Sequence, residues 1–341
     1  MFHSDLETHG IVRTPEEKLP ILTRSCLEGP LAPEPDVLHI VIPYSNYSSF
    51  KSRIRLNRLC ISELEKLEGV RIWVVETALG DRPFVVTCKD NPNHVQLRTR
   101  DMIWHKESMI NVCTRRITAV CPSWKYVAWV DGDIRFLNKN IAYETISRLQ
   151  SYAVVQMFSS VINLGPEGEI HDTQNGFCFQ YSKNGYVYKD TKSYPLWHPG
   201  FAWACTRKAF YDMGGLIDWA ILGSADHHMA RCLVGQGSHS LESRCSPAYK
   251  RKVMQTNDRY ERTIKRNIGY VPGTIEHGWH GKFKDRRYVD RWQILVECQY
   301  DPDADIKWDE QGLVVLDTDK FRLRDLIRHY FDQRNEDSVE K

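Results

Sequence analysis

Residues Lys125–Phe136 read KYVAWVDGDIRF, an apolar run that ends in two aspartates separated by one glycine. Val127, Ala128, Trp129 and Val130 form a short continuous apolar stretch, the pattern of a strand buried on both faces of a parallel sheet. Asp131 and Asp133 therefore fall where that strand leaves the sheet. Ligands of open α/β sheets collect at the carboxyl ends of strands, and two carboxylates there, with Arg135 as the closest basic residue along the chain, invite a cation. A glycine-containing turn whose aspartates cap backbone N–H groups accounts for the same residues. The two readings part only on what the rest of the chain brings to the strand end.

Upstream, VLHIVIPYSN predicts a strand closed by Pro43, and the helical spacing of Ile54, Leu59, Ile61, Leu64 and Leu67 predicts a helix stopped by Gly69. VRIWVVE and HVQLR read as strands, and HKESMINVCTRRITAVC reads as a helix with Met109, Val112, Cys113, Ile117 and Val120 on one side. Strands alternating with helices predict βαβ units and an α/β fold with a Rossmann-like, mostly parallel central sheet. Downstream, AVVQMFSSVINL reads as one strand and NGFCFQYSKNGYVYKD as a hairpin. FAWACTRKAFYDMGG reads as a strand running into a short helix, and SADHHMARCLVGQG as a helix capped by Ser224. Two helices, RRYVDRWQILVECQY and DKFRLRDLIRHYFDQR, and a polar tail NEDSVEK close the sequence.

The 341 residues carry 46 Lys+Arg against 44 Asp+Glu, a formal charge of +2, so nothing in the overall balance draws the chain to nucleic acid or membrane. Its 42% hydrophobic content suffices for a large core. No long uncharged apolar stretch appears and the first residues are acidic, so the expectation is a cytoplasmic protein with no integral membrane segment. Ten scattered cysteines without a C-x-x-C pair are expected to be free thiols. The run RCSPAYKRKVMQTNDRYERTIKRN is a local basic patch with interleaved tyrosines, read as a grip for an anionic acceptor, a loop closing on a nucleotide, or an exposed helix of no special function.

The order of these parts resembles the GT-A glycosyltransferases, most closely the family 2 type and its galactosyltransferase-like relatives. The resembling features are a first strand with a proline-containing loop, HIVIPYSNYSS, and a lysine and asparagine on the helix before a strand ending in D-x-D, VAWVDGDIRF. They continue with a glycine-containing acceptor segment, FYDMGGLIDWAILGSADHHMA, and a histidine loop, GTIEHGWHGKF. The resemblance implies a GT-A architecture with a smaller acceptor-side subdomain. Its blocks are an N-terminal arm over 1–36, a nucleotide-sugar-binding half over 37–136, an acceptor and catalytic half over 137–285, and C-terminal helices over 286–341.

It also implies the chemistry: transfer of a hexose from a nucleoside-diphosphate sugar, a UDP-sugar being favoured, to an acceptor hydroxyl with inversion. The acceptor classes are a glycan, a protein or a modified nucleic-acid base. Asp133 is expected as a metal ligand, with Asp131 on the metal or the ribose. Hard oxygen ligands suit Mn²⁺ or Mg²⁺, and a histidine from the loop, His280 or His277, tilts the choice towards Mn²⁺. His280 is favoured because Gly281 follows it. Asp226, opening its helix, is the expected base on the acceptor. Pro43, Tyr44, Glu76, Lys106, Trp203 and Gly215 are the further expected donor contacts; Gly215 serves equally as a helix stop and Trp203 as core. Glu76 departs from the aspartate pair of the family, and SAD supplies one acid where two are usual. Two other readings use the same scaffold: a metal-dependent phosphoesterase or nucleotidyltransferase, which needs a further acidic ligand, and a non-catalytic nucleotide-sugar-binding protein.

Overall fold

The first strand, β1 (Leu38–Ser45), is buried on both faces from Leu38 to Ile42 and becomes partly exposed only at Pro43 and Ser45. Ile40 and Ile42 enter one apolar core while Val41 enters another, and Ala128 and Val130 alternate with Val127 and Trp129 in the same way. A strand with two apolar faces needs helices above and below it. A computed structural model describes residues 36–185, 197–286 and 291–338, and these described residues belong to one compact unit. The expected N-terminal arm lies outside the described residues, as does the second half of the expected hairpin.

The chain continues through α1 (Lys51–Leu64), β2 (Val70–Leu79), β3 (His94–Thr99), α2 (Lys106–Val120) and β4 (Tyr126–Val130). Strands β3, β2, β1 and β4 lie side by side and parallel. After β5 (Ile134–Phe136), α3 (Ile141–Leu149) and β6 (Val154–Gln156) come β7 (Ser160–Leu164), β8 (Ile170–Gly176), α4 (Phe177–Asn184), β9 (Trp197–His198) and β10 (Ala202–Thr206). α5 (Arg207–Met213), α6 (Ala225–Leu233), α7 (Pro247–Thr263), β11 (Ile268–Tyr270) and β12 (Thr274–His277) follow. The last elements are α8 (Arg291–Glu297), β13 (Ile306–Trp308), β14 (Val314–Leu316) and α9 (Phe321–Asp332).

The central sheet has seven strands in the order β11-β6-β10-β4-β1-β2-β3, with β10 antiparallel to both of its neighbours. A second sheet, in the order β5-β12-β7-β8-β9, begins with β5, directly after the turn that follows β4. The expected α/β architecture, a mostly parallel central sheet flanked by helices, is the one the chain adopts.

Four local expectations change. β1 runs through Pro43, which has no N–H to give but pairs in register with Val75, and ends at Ser45. The single strand read over AVVQMFSSVINL is two, β6 in the central sheet and β7 in the second, so the chain changes sheets between them. Phe177–Asn184 is helical, not the first arm of a hairpin. Ser224 does not cap α6 with its side chain; it sits at φ +72°, and its hydroxyl accepts a 2.7 Å bond from Arg291 instead. In the basic run, Tyr249 and Tyr260 are buried, while Arg251 and Lys252 pair with Asp303. The nine described cysteines are free.

Candidate functional site

Strand β4 stops where its backbone is handed to a loop: Asp131 N–H donates to Phe201 O at 2.7 Å, and the chain turns through Gly132 into β5. Both aspartates then open onto a cavity of about 720 Å³. Its walls come from the β1–α1 loop, the start of α2, the β4–β5 turn, the second sheet, the start of α6 and the segment after α9. A pocket of this size suits a ligand as large as a nucleotide sugar.

The two aspartates have different surroundings. Asp131 Oδ1 lies 3.0 Å from Lys106 Nζ, at the N-terminus of α2. Burial pushes the Asp131 carboxyl up while the ammonium opposes it; Asp131 and Glu107 together keep Lys106 charged despite burial. Asp133 faces a histidine pair. Its Oδ2 is 3.3 Å from His280 Nε2 and 3.9 Å from His277 Nε2, and the two ε nitrogens are 3.2 Å apart. Burial disfavours charge on Asp133, but Arg53, whose Nη1 is 2.5 Å from Oδ2, outweighs this with the imidazoles and holds the carboxyl well below its usual range. Burial also pushes both imidazoles down, His280 to about 4 and His277 well below the ordinary value.

Neutral imidazoles carry one N–H each, and the partners of the δ nitrogens say where it is. Asn163 Nδ2 donates to Asp172 Oδ1, which turns Asn163 Oδ1 towards His277 Nδ1 at 2.8 Å. His280 Nδ1 lies 3.4 Å from Glu336 Oε2. Both N–H groups are therefore on the δ side, and two ε lone pairs face each other beside a carboxylate. Asp133 Oδ1 is buried with no hydrogen-bond partner. Of these three acceptors only the Asp133 carboxylate meets a donor, Arg53 Nη1 on Oδ2, and a cation among them would relieve the repulsion that remains. Ligands about 2.1 Å from an ion and at right angles stand about 3 Å apart, close to the separations of His280 Nε2 from its two partners. The residues fit a divalent cation, with Asn163 and Glu336 orienting the imidazoles from behind.

Asp226 stands at the start of α6 on the same cavity wall. Its Oδ1 accepts from His227 N–H at 2.8 Å, and Oδ2 faces the backbone of Gly200, where a Cβ would come within 2.5 Å of it. Burial disfavours its charge, but Lys106, His198 and Arg291 outweigh this and keep it ionised. The neighbouring Phe201 sits at φ +72° with its ring stacked on His198 at 3.8 Å, a strained residue at the edge of the site.

Of the expected residues, Pro43, Lys106, Asp131, Asp133, Asp226, His277 and His280 line this cavity together. Four do not. Glu76 is buried below the loop after β2, where its carboxylate accepts bonds from the N–H groups of Val85, Val86 and Thr87 and from the Thr87 hydroxyl. Tyr44 is buried with its hydroxyl accepting from Asn46 at 3.0 Å. Trp203 is core, its indole N–H donating to Pro199 O at 2.8 Å. Gly215, at φ +82°, closes α5 by donating to Phe210 O, with Asn111 packed against it. The part of the wall next to Pro43 is lined by Ser45, Asn46, Tyr47 and Ser48. His198, read from the sequence together with Trp197 and Trp203 as part of a sugar wall, lines the cavity, whereas sequence reading passed over Arg53, Asn163 and Glu336. The arginine and the glutamate lie in charged surface-like runs, and only contacts across the fold reveal them.

No protein-family model and no curated protein matches the chain. Among solved structures, it is similar to a Drosophila β-1,4-galactosyltransferase 7 mutant in complex with manganese, UDP-Gal and xylobiose, at 14% identity and TM-score 0.37, over 84% of this chain and 97% of that one. It is also similar to glucosyl-3-phosphoglycerate synthase from Mycobacterium tuberculosis in complex with Mn²⁺, UDP-glucose and phosphoglyceric acid, at 10% identity and TM-score 0.37, over 77% of each chain. At that level of similarity the functional reading stands on the residues of the site and not on the neighbours. No helix among the described residues is long and apolar enough to cross a membrane.

Proposed function

We propose that this protein is a divalent-metal-dependent glycosyltransferase that moves a hexose from a nucleoside-diphosphate sugar, a UDP-sugar by preference, to an acceptor hydroxyl with inversion. The observation that carries the reading is the convergence of His277 Nε2, His280 Nε2 and the Asp133 carboxylate, at 3.2 to 3.9 Å, in a cavity at the carboxyl end of the central sheet. These three residues would hold the ion. Two imidazoles in the set favour Mn²⁺ over Mg²⁺. Bound there, the ion would neutralise charge developing on the departing diphosphate.

The remaining roles belong to the chain. Lys106, paired with Asp131, would offer a cation to the phosphates, and Asp131 would contact the ribose. Asp226 takes the proton of the acceptor hydroxyl as its oxygen bonds to the anomeric carbon. The bond from that carbon to the β-phosphate oxygen breaks, and its electron pair leaves with the nucleoside diphosphate. A carboxylate stabilised this strongly is a weak base, which suits proton transfer late in the displacement, when the hydroxyl has become acidic. Trp104, Trp197 and Trp292 supply flat apolar surface for sugar rings on the acceptor side. The phosphoesterase reading needs a second carboxylate on the ion; among the described residues the cluster has one.

The test is nucleotide release from UDP-, GDP- and dTDP-sugars without acceptor, with Mn²⁺, Mg²⁺ or EDTA. Slow hydrolysis of one donor that needs metal is expected. Absence of release, together with absence of metal-dependent binding of any donor, overturns the proposal.

A further inference from the structure

A glutamate in the polar run RNEDSVEK is expected in water, yet Glu336 is 4% exposed. Burying a carboxylate is costly unless it is paired, and this one is paired on every side. Oε1 accepts from Arg334 Nε, while Oε2 lies 3.3 Å from Arg53 Nε and 3.4 Å from His280 Nδ1. The segment around it is docked just as firmly. The Asp337 carboxylate accepts from the N–H groups of Lys51 and Ser52, at 2.9 and 2.7 Å, and so caps α1. Ser52 Oγ donates to Glu336 O at 2.9 Å, and Trp279 Nε1 donates to Ser338 O at 2.9 Å. Gly281, at φ +87°, lets the chain approach so closely that a Cβ there would lie 2.8 Å from Asn335 O and from Glu336 Cα.

We infer that the segment 334–338 is a working part of the metal corner and that Glu336 is its positioning residue, setting how tightly the site holds a divalent cation. The inference rests on the metal reading above and adds a residue that reading does not require. Two effects act in the same direction. The carboxylate stands 3.4 Å from His280 Nδ1 and would draw the ring proton to that nitrogen, so that the ring presents its Nε2 lone pair to Asp133. It also shares the Arg53 guanidinium, which contacts Asp133 Oδ2 at 2.5 Å and is a built-in competitor for the same carboxylate. Without Glu336, the guanidinium would fall wholly to Asp133, and the His280 ring would be free to turn.

The test is Mn²⁺ titration of the full chain, followed by the EPR signal of the free ion, for the native chain, Glu336→Gln and Asp337→Ala. Glu336→Gln should bind Mn²⁺ about 10–100-fold more weakly. Pulsed EPR of the bound ion should give coupling to two imidazole nitrogens in the native chain and to one in Glu336→Gln. Asp337→Ala keeps the glutamate but loosens its dock, and should give an intermediate affinity with both nitrogens retained. A glutamate that merely holds the fold together would lower the melting temperature of the metal-free variants and leave Mn²⁺ affinity and nitrogen coupling unchanged; that result overturns the inference. A native chain that binds no Mn²⁺ overturns the metal reading and this inference with it, whereas tight native binding matched by both variants overturns this inference alone.

Discussion

The molecule buries two histidine clusters, and they differ in what faces the ring nitrogens. In the first, His228 on α6 is wholly buried against Trp219 and Trp292. Ser240 Oγ donates to Gly237 O and so accepts from His228 Nδ1 at 2.7 Å, which leaves Nε2 to accept from Tyr249 OH at 2.8 Å. Each donor has one acceptor and each lone pair one donor. In the second, around Asp133, the two ε nitrogens face each other, at 3.2 Å, and both Asp133 Oδ1 and His280 Nδ1 are buried with no hydrogen-bond partner. Burial pushes histidine pKa values down in both places. Burial therefore does not mark a site; a surplus of acceptors does, because it is unfavourable until a cation arrives.

The contrast can be broken most sharply at Asp133. Asp133→Asn removes the one carboxylate of the metal corner while keeping its volume, and donor hydrolysis should fall by about 10³ with Mn²⁺ binding lost and the circular dichroism spectrum unchanged. Turnover within tenfold of the native chain would contradict the site. Next come paired alanine substitutions. His280→Ala should weaken Mn²⁺ binding by at least about 10–100-fold with a small change in melting temperature. His228→Ala should do the reverse, costing about 2–4 kcal/mol in denaturant unfolding while leaving Mn²⁺ affinity alone. Exchanged outcomes would mean that the two clusters have been assigned the wrong way round.

The same comparison explains what could be read from the sequence. The central sheet was legible because each strand carries its own signal: VLHIVI, VRIWVV and YVAWV are apolar runs with two buried faces, and their order fixes the βαβ winding. Asp131 and Asp133 were legible as the end of such a run, and His277 and His280 because only two residues separate them in the sequence. Arg53 and Asn163 were not, since they meet the site across 80 and 114 residues and neither has a local pattern. Glu336 was hidden more deeply, because a charged residue in a polar run normally signals solvent. Glu76 misled for the opposite reason. It closes the apolar run VRIWVV as a ligand-binding acid would, but β2 runs on to Leu79 and the carboxylate is bonded by the loop that follows.

Titration separates the clusters without any ligand. Burial lowers His228 to about 3, against 6.5 in an unfolded chain, so between those values the unfolded state binds the extra proton and stability rises with pH. The contribution of this residue is complete above pH 6.5 and declines as pH falls towards 3. From pH 7 to pH 5 the loss should be about 2 kcal/mol. His39 and His105, also lowered to about 4 chiefly by burial, add their own shares, so the quantity to measure is the difference between the native chain and His228→Gln. A difference that stays flat across this range would mean that His228 is not held neutral by its two hydroxyl partners.

The smallest effect is expected at Glu76. Its carboxylate accepts bonds from three consecutive backbone N–H groups and one hydroxyl, a charge-assisted set that closes the loop over residues 85–87. Glu76→Gln keeps one acceptor oxygen in place, but its amide group turns a donor towards N–H groups that need an acceptor. The cost should be about 1–2 kcal/mol of stability, seen as a lowered denaturant midpoint with an unchanged slope. Donor affinity should not move, because Glu76 does not line the cavity and the loop it closes is not part of the wall. A loss of nucleotide affinity larger than the loss of stability would return Glu76 to the donor site, and the wall at Ser45–Ser48 would have to extend beneath β2.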